Sequence, residues 1–385
     1  MDIVAERLQA TTVSLNPPFA VVDLDALNTN ADSMISRADG LPIRLATKSI
    51  RCRAITDRIL AQPGFQGVMA YSLAEAIWLA QSGIDDVLLA YPTADRNALA
   101  DLARDDQLGA SIMIMVDCVE HCDMIAGASV GQPIKVCMDV DASLRIGPLH
   151  FGVRRSPVHS AGEAFALAAE ISKRPELSLT GLMFYDAQIA GLPDRSPVVR
   201  AVKSLSAWEL LDRRTEVITT VRKLADIQLI NGGGTGSLHI VSQDHQLTEL
   251  SAGSGLYGPG LFDHYRDFTP TPAAYFVSPV VRKPSPRHVV VYSGGYIASG
   301  PPSWSRQPLP WIPKGLKLLG AEGAGEVQTP LRGPTAAALQ IGDQVWFRHA
   351  KAGELCERFD GLYLVQGERL VGEVPTYRGE GRNFG

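Results

Sequence analysis

Apolar positions along this chain fall into two rhythms. Over roughly the first 250 residues, short apolar runs alternate with stretches of helical period. Phe19–Val22, Ile43–Ala46, Gly67–Ala70, Val87–Ala90, Ser111–Val116, Ile134–Val140, Leu177–Phe184, Ile227–Ile230 and Leu247–Leu250 read as buried strands. Between them Asp23–Ile35 places Leu24, Leu27, Met34 and Ile35 on one helical face, and Ala54–Ala61, Leu73–Gln81, Arg96–Ala103, Ser160–Lys173 and the long Val199–Leu224 read as helices. Strand and helix repeated about eight times predict a (β/α)8 barrel of the TIM type. From about Tyr275 the pattern becomes short alternating segments broken by Pro and Gly: Val289–Tyr292, Lys317–Leu319, Gln344–Arg348, Leu362–Gln366 and Leu370–Val374. These predict a C-terminal mostly-β domain, with Pro301–Pro313 as an irregular excursion. The expected division is 1–270 for the barrel and 271–385 for the β domain.

A barrel of this kind carries its chemistry at the carboxyl ends of its strands. Lys48, in LPIRLATKSIR, stands where the Ile43–Ala46 strand should end. An amine partly withdrawn from water there is suited to a Schiff base with an aldehyde cofactor or a carbonyl substrate. Late in the barrel, NGGGTGS (Asn231–Ser237) directly follows a strand and SAGSGLY (Ser251–Tyr257) follows the next. Glycines let successive amides turn inward, forming a nest that fits a phosphate. NGGGTGS lacks the Lys of a Walker loop and the context of a dinucleotide loop. An aldehyde at one end and a phosphate at the other describe pyridoxal phosphate.

Composition narrows the classes. The chain has 385 residues, 45% hydrophobic and 20% charged, with a net charge of −5, so no basic stripe awaits a nucleic acid. No apolar run approaches the roughly 18 residues of a membrane span. Its five cysteines are spaced irregularly and the opening MDIVAERLQA is acidic without an apolar core, so reduced thiols and a cytoplasmic location are expected. Cys118, His121 and Cys122 form the nearest approach to a zinc cluster, but Asp117 reads as a helix cap and no second pair stands at a suitable spacing.

The ordered motifs resemble those of fold-type III pyridoxal-phosphate enzymes, the alanine-racemase-like barrels, and within them the D-threonine aldolase and D-serine dehydratase branch. FAVVDLDAL (Phe19–Leu27), ATKSIR, VMAYSLAEA (Val68–Ala76), GGGTGS, ELSAGSGLY and VYSGGYIASG carry the likeness over nearly the whole length. The resemblance implies that Lys48 holds the cofactor aldehyde and that Thr235, Gly236, Gly253 and Ser254 hold its phosphate, with Tyr71 nearby and Tyr257 just past the second loop. Arg145 resembles the arginine that approaches the phenolic oxygen, with His150 competing for that alignment. Tyr185 matches a strand-end tyrosine. Asp186 stands where His or Glu is more usual, either as a cap or in the site.

Where that branch has a His-x-Asp or His-x-Cys metal pair, this chain has His349, Ala350 and Lys351, and Glu322 stands where the pattern has a histidine nearby. A protonated lysine cannot ligate a metal. The expectation is that a divalent ion (Mn, Zn or Mg) is absent and Lys351 supplies its charge; the alternative is an ion held by His349 with a group such as Glu354. The implied activity is retro-aldol cleavage of a β-hydroxy-D-amino acid, with His349 as base and Lys351 as electrostatic partner. The alternatives are a dehydratase (deaminase), a racemase using Tyr296 of a partner subunit, and a pyridoxal-phosphate carrier. The only partners implied are a small amino-acid substrate and a second copy of the chain in a head-to-tail homodimer.

Overall fold

The computed structural model describes residues 3–385, so Met1 and Asp2 at the head of the acidic opening segment lie outside it. All but one of the strands predicted ahead of residue 270 close on themselves. β1 (Ile43–Ala46), β2 (Phe65–Ala70), β3 (Val87–Leu89), β4 (Ile112–Val116), β5 (Ile134–Asp139), β6 (Leu177–Phe184), β7 (Leu229–Gly232) and β8 (Glu249–Ala252) form a closed barrel. Every neighbouring pair is parallel, and β8 returns to β1 with Ser251 opposite Arg44.

The helices between them start where the sequence supplies caps. The Ser72 hydroxyl accepts the Glu75 amide at the head of Leu73–Gln81, Asp95 caps Arg96–Ala103, and Ser160 with Glu163 makes a reciprocal capping box before Ala161–Ser172. The helix expected at Val199–Leu224 runs Pro197–Val221. The Asp117 cap is not formed: Cys118 takes the cap position of Val119–Ala128 without a side-chain bond, and Asp117 turns to His121 Nδ1 at 3.0 Å.

Inside the barrel the floor is ionic. Buried Arg44 donates from Nε and Nη2 to Glu249 at 2.6 and 2.8 Å and from Nη1 to Asp86, just ahead of β3, at 2.7 Å. Asn231 Nδ2 donates to the same Glu249 at 2.6 Å. A guanidinium taken out of water is tolerable only when its donors are matched in this way. Above it lies an apolar layer with one residue from each of five strands, Met69, Leu88, Met115, Cys137 and Met183, against which Tyr91 and Tyr185 pack.

The chain divides into two compact units. One comprises Met34–Lys48, Arg58–Gly253 and Phe384–Gly385 and contains the barrel; the other comprises the chain up to Ser33, Ser49–Asp57 and Ser254–Asn383. The strand Phe19–Asp23 belongs to the second unit, which corrects its reading as a barrel strand. It pairs antiparallel with Ala274–Ser285 and parallel with Gly361–Gln366 in a nine-stranded sheet. All five of its residues are buried, and such a run looks the same in either sheet. Pro301–Pro313 is also more ordered than expected, since Leu309–Ile312 pairs with Gln344–Arg348. The core of this unit joins Phe19, Val21, Tyr275, Val277 and Trp346 to Leu8 of the first helix, Ile3–Thr11.

Candidate active site

β1 ends at Ala46 and passes into a single tight turn, Thr47–Ser49. The Thr47 hydroxyl donates to the Met69 carbonyl of β2 at 2.9 Å and fixes that turn, leaving half-buried Lys48 at the carboxyl end of the barrel. The Lys48 amine lies 2.6 Å from the hydroxyl of Tyr91, two residues past the end of β3. Arg155 completes the group: its guanidinium carbon lies 5.7 Å from the centre of the Tyr91 ring and 5.5 Å from that of Tyr185, which directly follows β6. Burial pushes the Tyr91 phenol up, but the charges and hydrogen bonds of Lys48 and Arg155 more than reverse this and hold it below the ordinary tyrosine value. The Tyr185 phenol is moved the other way by burial.

Carboxylates gather at the same strand ends. Asp139 closes β5, and its carboxyl is pushed up to about 7 by burial and the nearby Asp117 and Asp141, with Arg155 pulling against them. Asp186 is fully buried; burial raises its carboxyl, and the Ser237 hydroxyl and Arg214 charge hold it back. It opens the short helix Ala187–Ala190 without a side-chain cap bond, so the capping role read from sequence is not made.

The glycine loops leave β7 and β8, the strands just before β1 around the barrel. Gly233 has a φ of +85°, a conformation L side chains rarely adopt, and this turns the chain after β7. Gly253 comes so close to β1 that a Cβ there would lie 2.6 Å from the Ala46 carbonyl oxygen. Buried Thr235 and Gly236 lie in the first loop, whose Thr235 carbonyl accepts Arg37 Nη1 at 2.7 Å. Gly253 and half-buried Ser254 open the second. The second loop thus leaves the strand that pairs with the lysine strand, the first leaves the strand beyond it, and glycine-rich backbone at these two strand ends fits the phosphate of pyridoxal phosphate.

The first barrel strands, the lysine turn and both loops lie within residues 22–260, which match the family model "Alanine racemase, N-terminal domain". The chain belongs to that family. It is the fold-type III pyridoxal-phosphate barrel. A D-threonine aldolase from Arthrobacter sp. is 26% identical over 293 residues, 73% of this chain and 72% of that protein. A 3-hydroxy-D-aspartate aldolase from Paracoccus denitrificans is 24% identical, over 62% of this chain and 60% of that protein. The solved D-threonine aldolase from Filomicrobium marinum superposes with a TM-score of 0.79 at 22% identity, covering 94% of this chain and 95% of that one. The D-threo-3-hydroxyaspartate dehydratase from Delftia sp. HT23 gives 0.73 at 18% identity, covering 95% and 98%.

Other residues expected of a family member are placed as follows. Tyr71 directly follows β2, its amide donating to Glu75 at 2.7 Å. Arg145 lies on the hairpin of Leu144–Ile146 and Leu149–Phe151 and pairs with Asp141, while His150 Nε2 contacts the Val153 carbonyl at 3.0 Å. The arginine beside Lys48 is Arg155. In the second unit Tyr257 is wholly buried and donates to the Ile50 carbonyl at 3.1 Å. His349 is buried there with Nδ1 at 3.0 Å from the Ala274 carbonyl, and its Nε2 has no hydrogen-bond partner among the described residues. Burial pushes its imidazole down to about 4. Lys351 donates to the Ser299 hydroxyl at 3.0 Å, and both Glu354 oxygens accept the Ser299 amide. With a cation two residues from His349 and Glu354 engaged by Ser299, this donor set does not fit a divalent ion. Among the described residues the one group of three metal-ligating side chains is Asp117, Cys118 and His121, in the barrel unit; it replaces the Cys118, His121 and Cys122 grouping, since Cys122 is buried and donates to the Cys118 carbonyl. No helix among the described residues is long and apolar enough to cross a membrane.

Proposed function

We propose that this chain is a pyridoxal-phosphate-dependent lyase that cleaves the Cα–Cβ bond of a β-hydroxy-D-amino acid, giving an aldehyde and a smaller amino acid. One observation carries the reading. In a family barrel whose relatives include D-threonine and 3-hydroxy-D-aspartate aldolases, the Lys48 strand pairs with β8, and β8 and its neighbour β7 each run into a glycine loop suited to a phosphate. When bound, the cofactor supplies an electron sink for the negative charge that develops at the substrate Cα.

The chain's own groups divide the remaining work. Lys48 would hold the aldehyde carbon, and Thr235, Gly236, Gly253 and Ser254 the phosphate. Arg155, rather than Arg145, supplies positive charge beside Lys48, and Tyr71 and Tyr185 line the mouth. A base must take the β-hydroxyl proton as the carbon–carbon bond opens and the new carbonyl forms. We assign this to His349, whose imidazole burial keeps neutral above about pH 4 and whose Nε2 is unclaimed. Lys351 would serve as a fixed cation, and no metal is required at His349. Product analysis with β-hydroxy-D-amino acids is the test: an aldehyde with glycine is expected, whereas a keto acid with ammonia, or inversion alone, would replace the aldolase reading by the dehydratase or the racemase. Activity should be indifferent to EDTA and to added Mn²⁺. A homodimer is proposed as well, to be checked by light scattering of the eluted protein.

A further inference from the structure

Holding a cofactor and cleaving a carbon–carbon bond leave the Tyr91 phenol without a task, although it lies 2.6 Å from the one amine on which the site depends. Its ring is fixed by packing on the apolar layer of Met69, Leu88, Met115, Cys137 and Met183, so the hydroxyl has a set direction. The charged and titratable groups around it come from separate elements. They are Lys48 from the turn after β1, Arg155 from the segment after the hairpin, and Tyr185 from just past β6; beyond Arg155 lies Asp139 at the end of β5, whose carboxyl the Arg155 charge pulls down.

We infer that Tyr91 is the proton shuttle of Lys48, the group that takes up and returns the protons of the amine each time its bond to a carbonyl carbon forms or breaks. This rests on the proposed function and deepens it. Joining an amine to an aldehyde makes one C=N bond and releases one water. Both protons of the neutral amine end on the departing oxygen, and nothing is oxidised or reduced. A hydroxyl bonded to the nitrogen accepts a proton as the N–C bond forms and delivers one as the oxygen leaves. Release of the amine runs the same transfers backwards. Two cations beside the phenol make its ionised form accessible for the accepting half of the cycle.

The test uses full-length protein stripped of cofactor, wild type against Tyr91→Phe, which keeps the ring in its layer. Capture of pyridoxal phosphate is followed by stopped-flow absorbance, and release by chase with a competing aldehyde trap. A shuttle lowers the barrier in both directions, so capture and release should both slow on the order of 100-fold while their ratio, the Kd, stays within about threefold. Tyr91→His, which keeps a titrating group, should recover part of both rates. Wild-type rates in the Phe variant would overturn the inference, and so would a weaker Kd with faster release, the mark of a packing role. Should Tyr91→Phe not fold, the same two rates in Tyr91→His decide, because loss of affinity without slowing refutes the shuttle. Borohydride reduction of the wild type keeps the two ideas apart: a label away from Lys48 defeats the proposed site, whereas a label on Lys48 with unchanged variant kinetics defeats the shuttle alone.

Discussion

Asp139→Asn should stabilise the protein at alkaline pH and leave it unchanged in acid. In the folded chain the Asp139 carboxyl is raised from 3.8 to about 7 by burial and by Asp117 and Asp141. Between about pH 4 and 7 the native state therefore keeps a proton that the unfolded chain has given up. Stability contributed by this group falls as pH rises through that window and is level above it. At about 1.4 kcal/mol per unit, a displacement of roughly three units sets a ceiling near 4 kcal/mol, and relaxation around the ionised group brings the expected value to about 1–3 kcal/mol. Asparagine keeps the shape and never ionises. Urea unfolding of wild type and variant at pH 4 and pH 8, at one ionic strength, measures the difference directly. The variant should gain about 1–3 kcal/mol over wild type on going from pH 4 to pH 8. An equal difference at both pH values would show that the end of β5 does not penalise the charge, and the description of this cluster would have to be abandoned.

Gly253→Ala places a Cβ 2.6 Å from the Ala46 carbonyl oxygen, so the loop must withdraw from β1. The cost should be about 1–3 kcal/mol in stability and at least tenfold in cofactor affinity, read by unfolding and by cofactor titration. Glu249→Ala leaves Arg44 buried with Asp86 as its remaining carboxylate and should destabilise by about 3–5 kcal/mol, with Arg44→Met and Glu249→Met together recovering much of the loss in the same assay. His349→Asn should lower kcat by about 10²-fold or more with little change in cofactor binding. In the wild type, the limb of the pH–rate profile that belongs to His349 should fall only as pH drops toward about 4, because burial disfavours the imidazolium. A limb near 6.5 that disappears in the variant would contradict that placement.

Much of the barrel was legible because each of its strands is a short, mostly buried run between turn signals, and because a lysine at a strand end has few structural reasons to be there. Partner choice was not legible. Phe19–Asp23 has the same buried pattern as β1, and only the pairing with Ala274–Ser285 and Gly361–Gln366 assigns it to the other sheet. Leu309–Ile312 was hidden by its prolines, one of which occupies a strand that pairs along a single edge, where a missing donor is tolerated. In the site, the family resemblance favoured Arg145, but the Leu144–Phe151 hairpin takes that side chain to Asp141, and it is Arg155 that packs on Tyr91, the partner of Lys48. Tyr91 and Asp139 carried a usable signal. Each stands at or just beyond a strand end, the same criterion that singled out Lys48, and applying it to every strand would have found both.

Central to all of this is the identity of the nucleophilic amine. Cofactor-loaded protein reduced with borohydride and digested should yield one modified peptide, carrying the pyridoxyl mass on Lys48, and Lys48→Ala should yield none. A pyridoxyl group on another lysine, or full labelling of Lys48→Ala, would contradict the assignment.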